Sequence, residues 1–255
     1  MVTIKSKNEI ELMRESCKIV KLAQDAISEA IRPGISTYEL NKIAEDVIIK
    51  NGGIPSCKNY PSGVKGVPSF PAGVCISIND EVIHGIPSKK VIIREGDIVS
   101  TDLCVYKNGF HGDATRTHII GKVDENVKRL VNVTKQSFFE GLKFAKPGYR
   151  IGDISNAIGT YIEKNGFSVV KEFQGHGIGR QMHEDPGIPN YGKQGKGLRL
   201  EPGMTLAIEP MVTEKSPEIL VLDDGWTIVT EDGSMAAHYE NTILITEKEP
   251  EVLTM

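Results

Sequence analysis

The sequence predicts an α+β fold made of two related halves, each running helices first and strands after. Three observations carry this expectation. Ile31-Arg32-Pro33-Gly34, then Lys50-Asn51-Gly52, returns as Ala145-Lys146-Pro147-Gly148, then Lys164-Asn165-Gly166, and one offset separates Pro33 from Pro147 and Gly52 from Gly166. Between these marks both copies carry apolar residues at helical spacing: Leu40, Ile43, Ala44, Val47 and Ile48, then Ile154, Ala157, Ile158, Tyr161 and Ile162. A phrase in the strand region is also duplicated, Glu95-Gly96-Asp97-Ile98-Val99-Ser100-Thr101-Asp102 against Pro202-Gly203-Met204-Thr205-Leu206-Ala207-Ile208-Glu209, with the final acid equally far past the glycine.

The elements follow in chain order. A long helix is expected over residues 8–31, and a second over the 40–48 stripe. Ser36 and Glu39 form a capping box at the start of the second, and Asn51-Gly52 stops it through a left-handed residue. Strand-like runs lie at 75–79, 98–106 and 114–120. The second half opens with a helix over 124–145, halted by Pro147-Gly148, and continues with the Ile154–Ile162 stripe, capped by Asp153 and closed by Asn165-Gly166. Strands are then expected at 204–212, 226–230 and 236–245. Helices on one face of an antiparallel sheet leave the other face free for a site.

Period-two alternation places the acids on that free face. In 98–106, Val99, Thr101, Leu103 and Val105 share one side, and Ser100, Asp102 and Cys104 the other. In 204–212, Glu209 falls opposite Met204, Leu206, Ile208 and Val212. Asp113-Ala114-Thr115 and Glu240-Asn241-Thr242 form a looser second pair, so each half supplies two carboxylates.

At 255 residues, 39% hydrophobic and 25% charged, the chain is long enough for one large core, and a single domain spanning 1–255 is expected, with halves of about 1–121 and 122–255. A net charge of -4 without a Lys/Arg stripe argues against nucleic acid as substrate. The charged start, and the lack of any apolar run near the roughly 18 residues of a membrane span, predict a soluble, cytoplasmic protein. Cys17, Cys57, Cys75 and Cys104 show no Cys-x-x-Cys spacing and read as reduced thiols.

Converging carboxylates repel one another unless cations neutralise them. Asp102, Asp113, Glu209, Glu240 and the single imidazole of His176 therefore suggest a bound pair of divalent ions, with Mn(II), Fe(II) or Co(II) suited at least as well as zinc. Such a pair supports hydrolysis of a peptide or ester. His84 and His183 sit in turn-rich phrases, and His84 shares His-Gly-Ile with His176, whereas His111, His118 and His238 read as structural or surface side chains. The glycine-rich phrases at 192–197 and 175–179 lack the spacing of phosphate or dinucleotide loops.

Taken together, Ile83-His84-Gly85-Ile86-Pro87, Asp102, His111-Gly112-Asp113, Gly175-His176-Gly177-Ile178-Gly179, Met182-His183-Glu184, Ile208-Glu209-Pro210 and Tyr239-Glu240-Asn241-Thr242 resemble type I methionine aminopeptidases of the bacterial kind without an N-terminal extension. The resemblance covers nearly the whole chain. It implies the pita-bread fold, two pseudo-symmetric halves around a dinuclear centre. Asp102 would bind one metal, Asp113 and Glu240 would bridge, and His176 and Glu209 would complete the other. It further implies attack on the scissile carbonyl by a metal-bridging hydroxide, with Glu209 shuttling the proton, His183 stabilising the oxyanion and His84 contacting the scissile amide. Phe70, Cys75, Trp226 and Cys57 would wall the methionine pocket, with Met182 beside His183. The implied substrates are N-termini of nascent polypeptides with a small second residue, met near the ribosome by a monomer.

Two features depart from the family pattern: Met182 replaces a frequent aromatic, and the Pro- and Gly-rich stretch 55–73 is long, which suggests a mobile pocket rim. An X-Pro peptidase would use the same ligands but carries a large extra N-terminal domain. A binding protein that has lost its metals would keep the fold alone.

Overall fold

Serine capping boxes start both helices of the first half. Ser6 accepts the Glu9 N–H and the Glu9 carboxylate takes the Ser6 N–H, fixing α1 at Lys7–Ala30; Ser36 and Glu39 repeat the exchange for α2, Thr37–Lys50. Asn51 ends α2, and Gly52 follows in the left-handed region at φ +73°. This computed structural model describes residues 2–255.

The first-half strands are β1 (Ile54–Pro55), β2 (Cys75–Ile78), β3 (Glu81–Ile83), β4 (Ile98–Lys107) and β5 (Phe110–Ile119). The second half opens with α3, Glu125–Leu142, which stops short of the expected 145. There the chain tightens, with Phe144 N–H donating to Gly141 O and Ala145 N–H to Leu142 O, and this winds Ala145 into the core ahead of Pro147. In α4, Ile151–Lys164, Asp153 caps from inside the first turn, its carboxylate accepting the N–H groups of Arg150 and Gly195 at 2.8 Å each. The remaining strands are β6 (Ser168–Val169), β7 (Gln174–Gly177), β8 (Glu184–Pro189), β9 (Thr205–Ile208), β10 (Met211–Thr213), β11 (Ile219–Val221), β12 (Ile228–Thr230), β13 (Ala236–His238), β14 (Asn241–Leu244) and β15 (Glu251–Val252).

Every strand pair is antiparallel. The framework divides into sheets ordered β1-β4-β2 with β5 beside β4, β13-β10-β6, β11-β12-β3, and β15-β14-β9-β7-β8. The α1–α2 pair packs on Val99, Leu103 and Val105, and α3–α4 on Leu206, Ile208 and Val212, the two stripes expected from alternation. This is the pita-bread arrangement, with helices outside and the acids within. Among the described residues, no helix is long and apolar enough to cross a membrane.

Four expected strand boundaries move. The run 204–212 breaks at Glu209-Pro210 and the run 236–245 at Tyr239-Glu240, because β9 and β14 pair in one sheet while β10 and β13 pair in another. Pro210 lacks the N–H that a continued ladder needs. The run at 114–120 instead begins at Phe110, since β4 and β5 stay in register back to Lys107↔Phe110, and this takes Asp113 inside the strand. The run 226–230 starts late because Asp224 accepts the N–H groups of Trp226 and Thr227 in a turn.

The halves are stitched at the two-fold seam. Thr115 and Glu240 exchange backbone hydrogen bonds, and the buried Thr242 hydroxyl accepts the Asp113 N–H and donates to Asp113 O, both at 2.9 Å. Thr242→Val keeps the volume and strands both Asp113 groups. Urea unfolding of the metal-free protein should show a loss of about 1–3 kcal/mol, and an unchanged midpoint and slope would refute this role for the seam.

Candidate metal centre

All five acids and imidazoles expected at the centre line one cleft of about 910 Å³, as do Cys57, Phe70, Cys75, His84, Met182, His183 and Trp226. Each half delivers its carboxylates differently. Asp102 and Asp113 stand on β4 and β5, the former facing Cys75 across one strand pair and Thr115 across the other. Glu209 and Glu240 stand at the two strand breaks. There the Glu209 carbonyl, released from the ladder, is taken by Asn190 Nδ2 at 2.9 Å, and the Glu240 carboxylate accepts from the Thr115 hydroxyl at 2.9 Å.

Ligand atoms of Asp113, His176 and Glu240 lie within 4.8 Å of one another. His176 Nδ1 lies 2.9 Å from Gly177 O, an acceptor only, so Nδ1 carries the proton and Nε2 presents a lone pair. That lone pair faces Glu209 Oε1 at 3.5 Å. Two electron-rich atoms so placed repel unless a cation or proton lies between them. Asp113 Oδ1, fully enclosed, has no hydrogen-bond partner. A divalent ion fits this donor set, with carboxylate oxygens and one imidazole nitrogen converging where protein donors are missing.

Titration behaviour fits the same site. Burial raises the Asp113, Glu209 and Glu240 carboxyls well above the usual range, and neighbouring carboxylates push each further in that direction. Asp102 is also raised, chiefly by burial. Burial lowers His176, His84 and His238 to about 4, so all three are neutral imidazoles near pH 7.

The pocket beside the acids is apolar. Phe70 and Trp226 meet edge to face at 5.3 Å, and Phe70 packs with Cys75 while Cys57 closes the group. His84, in the left-handed region at φ +59°, sets its ring edge-on to Trp226 at 6.2 Å and to Phe173 at 5.9 Å. The 55–73 stretch forms one wall, held by Trp226 Nε1 donating to Pro68 O at 2.8 Å.

Among the cleft residues that sequence reasoning did not place there are Tyr60, Phe173 and His238. His238, read as structural, is buried with Nε2 unpartnered, 3.5 Å from Glu209 Oε2. Its position two residues before Glu240 was an available signal for the inner face. Tyr60 and Phe173 lie outside the regular strands and carried no such signal.

Buried carboxylates and a neutral imidazole at the floor of an apolar cleft, inside a pita-bread framework, define a metal-dependent hydrolase. Residues 11–247 match metallopeptidase family M24, and the chain belongs to that family, whose members use divalent metal cofactors. It is 49% identical over 255 residues to a methionine aminopeptidase of Clostridium perfringens, covering 100% of this chain and 99% of the relative. It is 47% identical to methionine aminopeptidase 1 of Bacillus subtilis, covering 100% of this chain and 99% of that one. The crystal structure of a Thermotoga maritima methionine aminopeptidase superposes with a TM-score of 0.96 at 43% identity, covering 100% of this chain and 99% of that chain.

Because the carboxyls are raised, protons compete with a divalent ion for them, whereas the buried imidazoles are already neutral well below pH 6. The gain in melting temperature from added Mn(II) should therefore grow from about pH 5 to pH 8. A gain that stays flat or falls over that range would contradict proton–metal competition at these carboxyls.

Proposed function

We propose that the chain is a methionyl aminopeptidase that removes the initiator methionine from nascent polypeptides when the next residue is small. The observation that carries this reading is the pairing of Cys75 with Asp102 across β2 and β4, which fastens the wall of an apolar pocket to a carboxylate of the candidate centre. A side chain seated against Phe70, Cys75 and Trp226 brings the following peptide bond over the acids. Methionine, unbranched and polarisable, suits such a pocket.

Two divalent ions, Mn(II), Fe(II) or Co(II), would be held by Asp102, Asp113, His176, Glu209 and Glu240. When bound, they would supply Lewis-acid polarisation of the carbonyl and a water acidified near neutral pH. Glu209 takes up a proton and returns it to the leaving amine. A carboxyl already pushed upward by burial suits that exchange. His183 donates to the oxyanion, and His84, fixed between Trp226 and Phe173, contacts the scissile amide. Cys57 and Met182 complete the pocket rim. The two halves, about 1–121 and 122–255, act as one catalytic unit. We place it in the cytoplasm, as a monomer meeting new N-termini near the ribosome.

Hydrolysis of a Met-Ala-Ser peptide beside an X-Pro peptide, with Mn(II), Fe(II) and Co(II) each supplied anaerobically, tests the assignment. Only the methionyl peptide should be cleaved, and cleavage of the X-Pro peptide alone would refute it. His183→Ala should lose roughly 10²- to 10³-fold in kcat while retaining its metal, and loss of both ions instead would remove His183 from the oxyanion role.

A further inference from the structure

We propose that Tyr60, on the long rim loop of the first half, is a positioning residue that fixes His183 of the second half in the tautomer that carries its proton on Nε2. The two residues are joined by a 2.8 Å contact between the Tyr60 hydroxyl and His183 Nδ1, with the rings edge to face at 5.5 Å. This inference rests on the oxyanion role given to His183 above.

The contact can be made in two ways. Tyr60 can donate to an unprotonated Nδ1, or a protonated Nδ1 can donate to the phenolic oxygen. A neutral imidazole nitrogen is a far stronger acceptor than a phenolic oxygen, whose lone pair is drawn into the ring. The phenol is in turn a good donor through its O–H, and the 2.8 Å separation suits an O–H···N bond. The strong pairing is therefore O–H donating to Nδ1, which leaves the proton on Nε2. His176, packed edge-on at 4.5 Å, is set the opposite way by Gly177 O. Two adjacent imidazoles thus receive opposite tautomers from their partners, one offering a lone pair and the other an N–H.

The loop is built to hold the hydroxyl still. Asn59 N–H donates to Phe70 O and Phe70 N–H to Tyr60 O, which closes the loop on itself at 2.8 and 2.9 Å. Its two ends are pinned to one side chain of α2, the buried Glu45, which takes Lys58 Nζ at 2.8 Å and the Gly73 N–H at 2.9 Å. Tyr60 shares this loop with the pocket wall at Phe70, so the methionine pocket and the His183 contact are joined through one hydrogen-bonded segment.

The test uses Tyr60→Phe, which keeps the ring and removes only the hydroxyl. In zinc-loaded enzyme with 15N-labelled histidine, the signal missing from His183→Ala identifies His183. In the parent it should show a protonated Nε2 and an accepting Nδ1. In Tyr60→Phe the Nδ1 resonance should move and an Nδ1–H population should appear. With Mn(II) and Met-Ala-Ser, kcat should fall roughly 3- to 10-fold with KM within about two-fold, and the fall should vanish in the His183→Ala background. A parent His183 protonated on Nδ1 would overturn the proposal, as would a Tyr60→Phe enzyme with unchanged resonance and kcat, or a fall that persists without His183. Unimpaired turnover of His183→Ala beside the expected parent spectrum would instead remove the oxyanion reading and leave the tautomer assignment in place.

Discussion

Mutual repulsion among buried carboxylates is the constraint on which the rest of the structure depends. Four acids share one cleft floor, and two of them, Asp113 and Glu240, are almost wholly enclosed. Without a cation each must hold a proton or lose stability, because a buried charge without a partner costs several kcal/mol. The surrounding protein relieves little of this. Thr115 donates to Glu240, but Asp113 Oδ1 receives nothing, and the His176 lone pair faces Glu209. The site is unfinished as protein, and a divalent ion completes it.

Holding such a site in place requires rigidity exactly where repulsion would open it. The seam supplies it: Thr115 with Glu240 by backbone, and Thr242 with Asp113 by side chain, cross between halves that lie about half a chain apart in sequence. Arg116 adds a second layer, reaching the Glu240 carbonyl and the Asn241 side chain while its guanidinium lies 4.8 Å from the Tyr239 ring centroid. Carboxylates that would drift apart are thus tied through their own backbones. Duplication makes this economical, since related strand phrases meet at the dyad and each braces the other.

Much of this was legible in the sequence because it rests on periodicity. The helices, the apolar stripes and the inward side of Asp102 and Glu209 all follow from spacings of 3.6 and 2. What periodicity cannot see is where a strand changes sheets. The runs ending near Glu209 and Glu240 read as continuous, yet both break to leave one sheet for another, and only Pro210 hinted at this. Loop placement was equally hidden. Tyr60 comes to His183 across 123 positions, and Phe173 reaches His84 from an irregular segment, through contacts that no local pattern encodes. His238 was missed for a different reason, since a buried histidine beside an acid looks the same in sequence whether it braces a core or faces a cleft.

Pseudo-symmetry, finally, explains why the centre is lopsided. A strict two-fold would give matching ligands on both sides, but the first half presents its acids on continuous strands and the second at strand breaks. Backbone released from a ladder can turn, so Glu209 reaches toward both His176 and His238, at 3.5 Å from each. Asp102, locked in register between β2 and β5, has no such freedom. The imidazoles beside Glu209 therefore come from the second half, while the first contributes oxygen ligands and most of the pocket wall, which Trp226 completes. One fold copy supplies a fixed edge, the other a carboxylate at a strand break with imidazoles around it, and this division of labour suits the proton exchange proposed above for Glu209.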